Sequence, residues 1–351
     1  MQQPNRYIIT EVVKLSNQQK VNAQGKARED VLRTAIDLGF EIYDIKYYKY
    51  NWKGGNKTHH YPLFSKWVAD RQGKKFVRNV HAGDTILIQE FYLDYMQNIA
   101  TECLSRGAKV IFLVHDVQCI RFNKQTREIQ KLNNASLLLV HTEAMKHKLE
   151  ELGVTTPMNV IQLFDYYSDD SMTAAEDVID HKYDVVFAGN LAKSEFLPKI
   201  FASNEKQSIH FLLYGMLGDL VIPETGNIIY KGVFNPSNTG SILGGWGLVW
   251  DGDSIDTCTG DMGGYLRYNS SHKTSLYLVS GIPVIVWECS SLADWVKEQH
   301  IGIVIASLRD IGSAIDGIAN EEYHQMVKNA QKIGEKLRNG CFLKQTLNPA
   351  L

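Results

Sequence analysis

Short apolar runs that end on a polar residue or a glycine, each followed by a helical stretch, recur along this chain and restrict its fold more than any other feature. Tyr7-Ile8-Ile9-Thr10 reads as a strand, and Ala27 to Leu38 as a helix with apolar spacings of three and four. Gly39 closes that helix, and Phe40 to Ile45 alternates as a second strand. Thr85 to Gln89 is a third strand, followed by a helix over Tyr95 to Arg106 that Gly107 stops. Lys109 to Val114 is a buried strand ending at His115-Asp116, Ala135 to His141 another strand, and Glu143 to Leu152 a helix closed by Gly153. Strand, helix, strand in repetition implies βαβ units around a parallel sheet.

The pattern then restarts. Asp169 to Asp180 is polar and acidic, lacks apolar periodicity, and reads as an interdomain joint. Tyr183 to Gly189, Ile209 to Tyr214, Leu248 to Trp250, Val284 to Trp287 and Ile303 to Ile305 read as strands. Thr274 to Ser280 and the long amphipathic stretch Glu321 to Leu337 read as helices. A chain of 351 residues also exceeds what one hydrophobic core usually supports. The expected class is therefore α/β, with an N-terminal domain over 1–168 and a joint over 169–182. A C-terminal domain covers 183–320, and a terminal helix over 321–351 is expected to pack back on the N-terminal domain. Ligands of open parallel sheets bind beyond the carboxyl ends of the strands. Two such sheets facing each other put the interesting residues in the cleft between them.

Composition narrows the partners. With 37 basic and 39 acidic side chains the formal charge is -2, so no global field draws nucleic acid to the protein. The five cysteines are an odd number, scattered, without a Cys-x-x-Cys pair, which speaks against a disulfide scaffold or a zinc site and for a reducing interior. The first residues do not read as a signal peptide and no apolar run is long enough to span a membrane, so a cytoplasmic protein is expected.

Four stretches could carry chemistry. In Tyr268 to Trp287, Asn269 or Ser270 can cap a helix whose first turn holds His272 and Lys273. Its free N–H groups, the helix dipole and the Lys273 ammonium make a site for a diphosphate; the same pattern also suits a plain capped helix packed on a strand. Gly189, just past a strand, lets a ligand approach the backbone, with Asn190 beside it and Lys193 adding positive charge, although an ordinary βα turn looks the same. The polar loop from Ser16 to Lys26 sits at the carboxyl end of the first strand, where loops close over ligands or simply connect. His115-Asp116 ends an apolar strand, with Glu90 ending a neighbouring one, and a carboxylate or imidazole there can accept a hydroxyl proton or merely orient the next segment. The Tyr-rich stretch Tyr43 to Trp52 suits an acceptor platform or an oligomer contact. The run Trp250 to Asp256 lacks the glutamate and helices of a calcium loop, no glycine cluster precedes Lys-Ser/Thr, and no Gly-x-Ser-x-Gly occurs.

The run Tyr268-Asn269-x-x-His272-Lys273-x-Ser275-Leu276-Tyr277-Leu278-x-x-Gly281-x-Pro283-Val284-Ile285-Val286-Trp287 closely resembles the donor-site signature of a bacterial glucosyltransferase family. That family adds glucose to O-linked N-acetylglucosamine (GlcNAc) on serine-rich repeat adhesins of streptococci and lactobacilli. Val114-His115-Asp116 and Asp184 to Asn190 are similar to it as well, so the resemblance spans almost the whole chain. It implies a GT-B fold (two Rossmann-like domains facing across a cleft), UDP-glucose as donor and transfer without metal or cofactor. It also implies inversion to a β-linked product, a GlcNAc-modified serine-rich protein as acceptor, and a homo-oligomer, a tetramer. Related enzymes transfer galactofuranose. Carried onto this chain, the diphosphate lies against Ser270, Ser271, His272 and Lys273, with Tyr268 leading into that turn. Phe187 to Lys193 and Tyr214 border the nucleotide, and Asn22 reaches the donor from the other domain. Asp116, with His115 nearby, is the expected base. Ala188 to Lys193 stands where relatives are expected to carry an arginine-bearing loop, so the phosphate-holding side chain stays open. A sugar-nucleotide epimerase of the same architecture and a non-catalytic glycosyltransferase-like partner subunit are the competing readings.

Overall fold

The structure is a computed structural model and describes residues 4–14, 23–48, 63–89, 91–124, 127–203, 209–224 and 226–351. The N-terminal half runs β1 (Arg6–Lys14), α1 (Ala23–Asp37), β2 (Glu41–Tyr48), α2 (Leu63–Val77), β3 (Thr85–Ile88), α3 (Asp94–Ser105) and β4 (Lys109–Leu113). Two short helices, α4 (Gln118–Arg121) and α5 (Glu128–Leu132), precede β5 (Leu137–Val140), α6 (Glu143–Glu151) and β6 (Met158–Val160). The six strands pair in parallel in the order β2-β1-β3-β4-β5-β6. Their apolar runs are continuous rather than alternating because helices cover both faces. One face packs with α2 and α3 through Phe76, Met96 and Ile99, the other with α1 through Val31 and Ala35.

The second half begins with α7 (Ala175–Asp180), β7 (Asp184–Asn190), α8 (Leu197–Ser203), β8 (His210–Met216), β9 (Ile228–Gly232) and β10 (Trp246–Val249). It continues with α9 (Gly260–Tyr265), α10 (His272–Val279), β11 (Val284–Trp287), α11 (Ala293–Glu298), β12 (Gly302–Ile305), α12 (Ile311–Asp316), α13 (Asn320–Arg338) and α14 (Cys341–Leu347). Its sheet, again parallel and six-stranded, has the order β12-β11-β10-β7-β8-β9. Two Rossmann-like domains thus face each other, as the strand–helix alternation implies.

Several local readings need adjustment. The acidic stretch before β7 contains α7, whose Val178 is wholly buried; one buried position in six residues leaves no period to read. Helix α2 is hidden by its charged surface and by Gly73 in mid-helix, a residue that lowers helix propensity. The terminal region is two helices, not one. α13 belongs to the C-terminal core through Tyr323, Val327 and Leu337, whereas Leu343 and Leu347 of α14 enter the N-terminal core beside α1. Gly340 makes the turn between them at φ 68°, and a Cβ there would lie 2.3 Å from the Tyr167 hydroxyl oxygen. Asp165 caps α14 by accepting the Phe342 and Leu343 N–H groups at 3.1 and 2.8 Å. Two crossings of the chain, through 161–168 and through 338–342, therefore join the domains.

All five cysteines are free thiols. No helix among the described residues is long and apolar enough to cross a membrane.

Candidate active site

Each sheet has one point where the strand order reverses. In the C-terminal sheet it lies between β7 and β10, in the N-terminal sheet between β1 and β3. Helices leaving neighbouring strands toward opposite faces open a crevice at such a point, beyond the carboxyl ends. β7 and β10 stay paired only at Trp246–Val185 and Gly247–Val186, then diverge. The Tyr277 hydroxyl of α10 fills the gap, accepting the Ala188 N–H at 2.9 Å and donating to the Leu248 carbonyl at 3.2 Å. It reaches there because Gly247 has no side chain, since a Cβ would lie 2.1 Å from the Tyr277 ring. The sequence thereby locks the start of α10 over the crevice.

Ser271 caps that helix, its Oγ accepting the Lys273 N–H at 3.4 Å. The cap falls one residue after Ser270 and two after Asn269, the two expected positions. Lys273 leans into the crevice. Its Cε would lie 3.5 Å from a Cβ on Gly189, its ammonium is 5.4 Å from the Phe187 ring centre, and it meets the Asp251 carboxylate at 3.3 Å. Lys273 keeps 21% of its side-chain exposure, enough to meet a ligand. The first-turn N–H groups of α10 and this ammonium point the same way chemically: they favour an anion.

Across the cleft, Gln89 at the end of β3 lies 2.8 Å from His115 Nε2. Asp116 pairs with Arg121 at 2.6 Å, and Arg121 in turn lies 4.6 Å from the Tyr265 ring centre. Loss of hydration raises the Asp116 carboxyl above its ordinary range, while Arg121 and Arg28 pull it back. From the first turn of α1, buried Lys26 forms an ion pair with buried Asp30 and lies 4.8 Å from the Tyr166 ring centre. Burial pushes Asp30 up to about 6 against the opposing pull of Lys26.

A stack of rings joins the two sides. Phe164, on the crossing segment, is sandwiched between His115 at 5.4 Å and His272 at 5.2 Å, with His141 edge-on at 4.8 Å. His141 Nε2 faces the Val114 carbonyl at 2.9 Å and so carries the proton, leaving Nδ1 to accept the Ser270 N–H at 3.1 Å. Three further bonds close the seam. Thr142 Oγ1 donates to the Tyr268 carbonyl at 2.6 Å, the Val117 N–H to Tyr265 Oη at 2.9 Å, and Ser275 Oγ to the Phe164 carbonyl at 2.6 Å. Removal from water keeps all three rings neutral, pushing His272 down to about 4, His141 to about 3 and His115 lower as well. Both ring nitrogens of His272 are shielded from solvent and lack a hydrogen-bond partner.

The expected site residues therefore separate into groups. His272, Lys273, Ser271 and Gly189 come together at the C-terminal crevice, and His115 faces His272 through Phe164. Tyr268 and Ser270 hold the domains together through their backbones. Asn190, the last residue of β7, and Lys193, just beyond it, are exposed. Tyr214 is buried in β8, its hydroxyl 3.4 Å from both the N–H and the carbonyl of Leu243. Tyr43 packs on Phe76 at 4.6 Å, within the domain. Asn22, Glu90 and residues 49–52 lie outside the described residues.

Asp251, Phe164, Tyr166, Asp30 and Arg121 were not anticipated as site residues. Asp251 carried a signal, since it follows directly on an apolar strand end as Asp116 does, but its aspartate-rich surroundings drew attention to calcium instead. Phe164 and Tyr166 look like core aromatics, and nothing local says that the chain crosses between domains there.

Comparison with known proteins adds to this geometry. Residues 6–163 match the family model described as "Glucosyltransferase 3-like, N-terminal domain" and residues 185–350 that described as "Glucosyltransferase 3-like, C-terminal domain". Glucosyltransferase 3 of Streptococcus gordonii is 27% identical over 342 residues, 93% of each chain. Beta-1,6-galactofuranosyltransferase WbbI of Escherichia coli K12 is 29% identical over 248 residues, 69% of this chain and 71% of that protein. Among solved structures, sucrose-phosphate synthase from Thermosynechococcus elongatus superposes with a TM-score of 0.65 at 10% identity, covering 99% of this chain and 98% of that one. HepE from Anabaena, in complex with UDP, gives 0.61 at 10% identity, covering 98% and 100%. These likenesses identify the architecture as GT-B.

Proposed function

The chain belongs to the glucosyltransferase 3-like family and is a glycosyltransferase, and on that premise we propose that it transfers glucose from UDP-glucose to GlcNAc carried on a serine-rich protein. The observation that carries the donor half of this reading is the position of Lys273, in the first turn of α10 over the crevice between β7 and β10.

Transfer leaves UDP behind, and negative charge grows on its β-phosphate as the sugar–oxygen bond breaks. The ammonium of Lys273 and the first-turn N–H groups of α10 meet that charge without a metal ion, already oriented before the reaction begins. Diphosphate binding draws the ammonium away from Asp251, whose carboxylate holds it in place beforehand. Exposed Lys193 and Asn190 border the nucleotide, with Asn22 reaching over from the other domain. Inversion requires the acceptor hydroxyl to attack from the opposite face of the sugar while a base takes its proton. Asp116 fills that role, with a carboxyl that burial raises above its ordinary range and so a better proton acceptor than an ordinary aspartate. His115, tied to Gln89 and held neutral, lines the same wall. The same reading has the protein acting in the cytoplasm as a homotetramer.

The test is incubation with UDP-glucose, UDP-galactose, UDP-GlcNAc and UDP-galactofuranose, each with a GlcNAc-bearing serine-rich peptide, read by mass spectrometry. A hexose added to the peptide from UDP-glucose is the expected result. Addition from UDP-galactofuranose alone would place the chain with its galactofuranosyl relative, and an isomerised nucleotide sugar without peptide product would make it an epimerase.

A further inference from the structure

Away from the crevices, a groove of about 630 Å³ runs along the free edge of the N-terminal sheet. Its floor is β6, the outermost strand, and its walls come from α6 and α14 on one domain and α11 on the other. Trp295 of α11 is half-buried there and meets Phe342 edge-on at 6.4 Å. The side chains of Gln162 and Gln345 also line the groove, and among the described residues neither carboxamide has a hydrogen-bond partner. On the rim, Lys146 and Glu143 lie 3.7 Å apart and cancel each other's charge.

Gln162 is held in an unusual way. Its φ is 72°, a left-handed conformation disfavoured for a residue with a long side chain. The Gln162 N–H donating to the His141 carbonyl at 2.9 Å fixes this geometry, two residues before Phe164 enters the ring stack. Disfavoured backbone retained at a groove is a reason to look for a ligand.

The lining chemistry selects the ligand class. A carboxamide both donates and accepts, as a ligand covered in hydroxyls requires. A half-exposed indole offers an apolar surface for the C–H face of a sugar ring. Paired rim charges favour a neutral molecule over a charged one. The volume lies within the range of ligand-binding clefts. We propose that this groove is a second saccharide site, binding a neutral oligosaccharide through Trp295, Gln162 and Gln345, separate from the donor crevice. The site needs no nucleotide, so it stands whichever sugar the enzyme transfers. Because Gln162 is bonded to His141, an occupied groove stiffens the same seam that holds Ser270.

Full-length protein labelled with 5-fluorotryptophan tests this by ¹⁹F NMR, the Trp295 resonance being assigned with Trp295→Phe. Separate titrations with N,N′-diacetylchitobiose, lactose and maltotriose are read with and without saturating UDP. At least one sugar is expected to shift the Trp295 resonance with millimolar affinity, equally with UDP present. Gln345→Ala, at an exposed position that leaves the core intact, is expected to weaken that binding about tenfold. No shift with any of the three sugars, a shift that UDP abolishes, or affinity unchanged in both Gln345→Ala and Gln162→Ala would overturn the proposal.

Discussion

The Lys273 ammonium lies 3.3 Å from the Asp251 carboxylate, although the two residues stand 22 positions apart in the connection from β10 to β11, with α9 between them. Asp251 follows β10, Lys273 opens α10, and Gly189 at the end of β7 completes the crevice they share. Lys273→Ala should lower kcat with UDP-glucose by about a hundredfold or more, the usual cost of losing a preorganised charge-stabilising group. Titration calorimetry should show weaker UDP binding. An unfolding midpoint close to wild type would show that the loss is local, because this side chain is partly exposed and buries little apolar surface.

Asp116 and Arg121 make a pair of predictions with a defined sign. Asp116→Asn should reduce kcat by about two to four orders of magnitude, the range for a general base. The base works deprotonated, so activity falls as pH drops through its pKa. Arg121→Lys keeps the charge, whereas Arg121→Ala removes the cation that opposes the upward push of burial. The alanine variant should therefore move the acid limb of the kcat/KM profile to higher pH than the lysine variant does. Identical acid limbs in both would remove Asp116 from the proton-accepting role.

The histidine seam predicts an acid-sensitive interface. His141 is neutral in the fold, its pKa depressed to about 3, whereas in the unfolded chain it titrates near about 6.5. A depressed pKa means stability fully present above the unfolded value and lost as pH falls toward the folded one. Protonation also puts a hydrogen on Nδ1, the atom that accepts the Ser270 N–H. Stability should decline from about pH 6.5 downward. His141→Gln should flatten that decline when urea midpoints are compared across the range.

Gly340→Ala tests the return of the chain to the N-terminal domain. The new methyl would meet the Tyr167 hydroxyl at 2.3 Å and Thr34 Oγ1 at 2.9 Å, in a left-handed backbone conformation. A loss of roughly 1–3 kcal/mol in folding free energy is expected. Hydrogen exchange should localise the damage to α14 and the face of α1 that it covers.

What the sequence determined by itself is local. Apolar runs ending at His115-Asp116 or Gly189, and glycines closing helices, announced the βαβ repeats and the two sheets because strand and helix periods are written in consecutive residues. The helix that opens with His272 and Lys273 is legible in the same way, since its cap, its lysine and its closing glycine fall between Ser271 and Gly281. The tertiary structure decided which strand ends diverge, and hence that Asp251 and Gly189 are neighbours of Lys273. It also decided that Phe164 lies between His115 and His272, and that Tyr214 spends its hydroxyl on Leu243. Such partners are far apart in the chain, and strand order, which brings them together, is set by the packing of whole helices on whole sheets. No short run of residues encodes that.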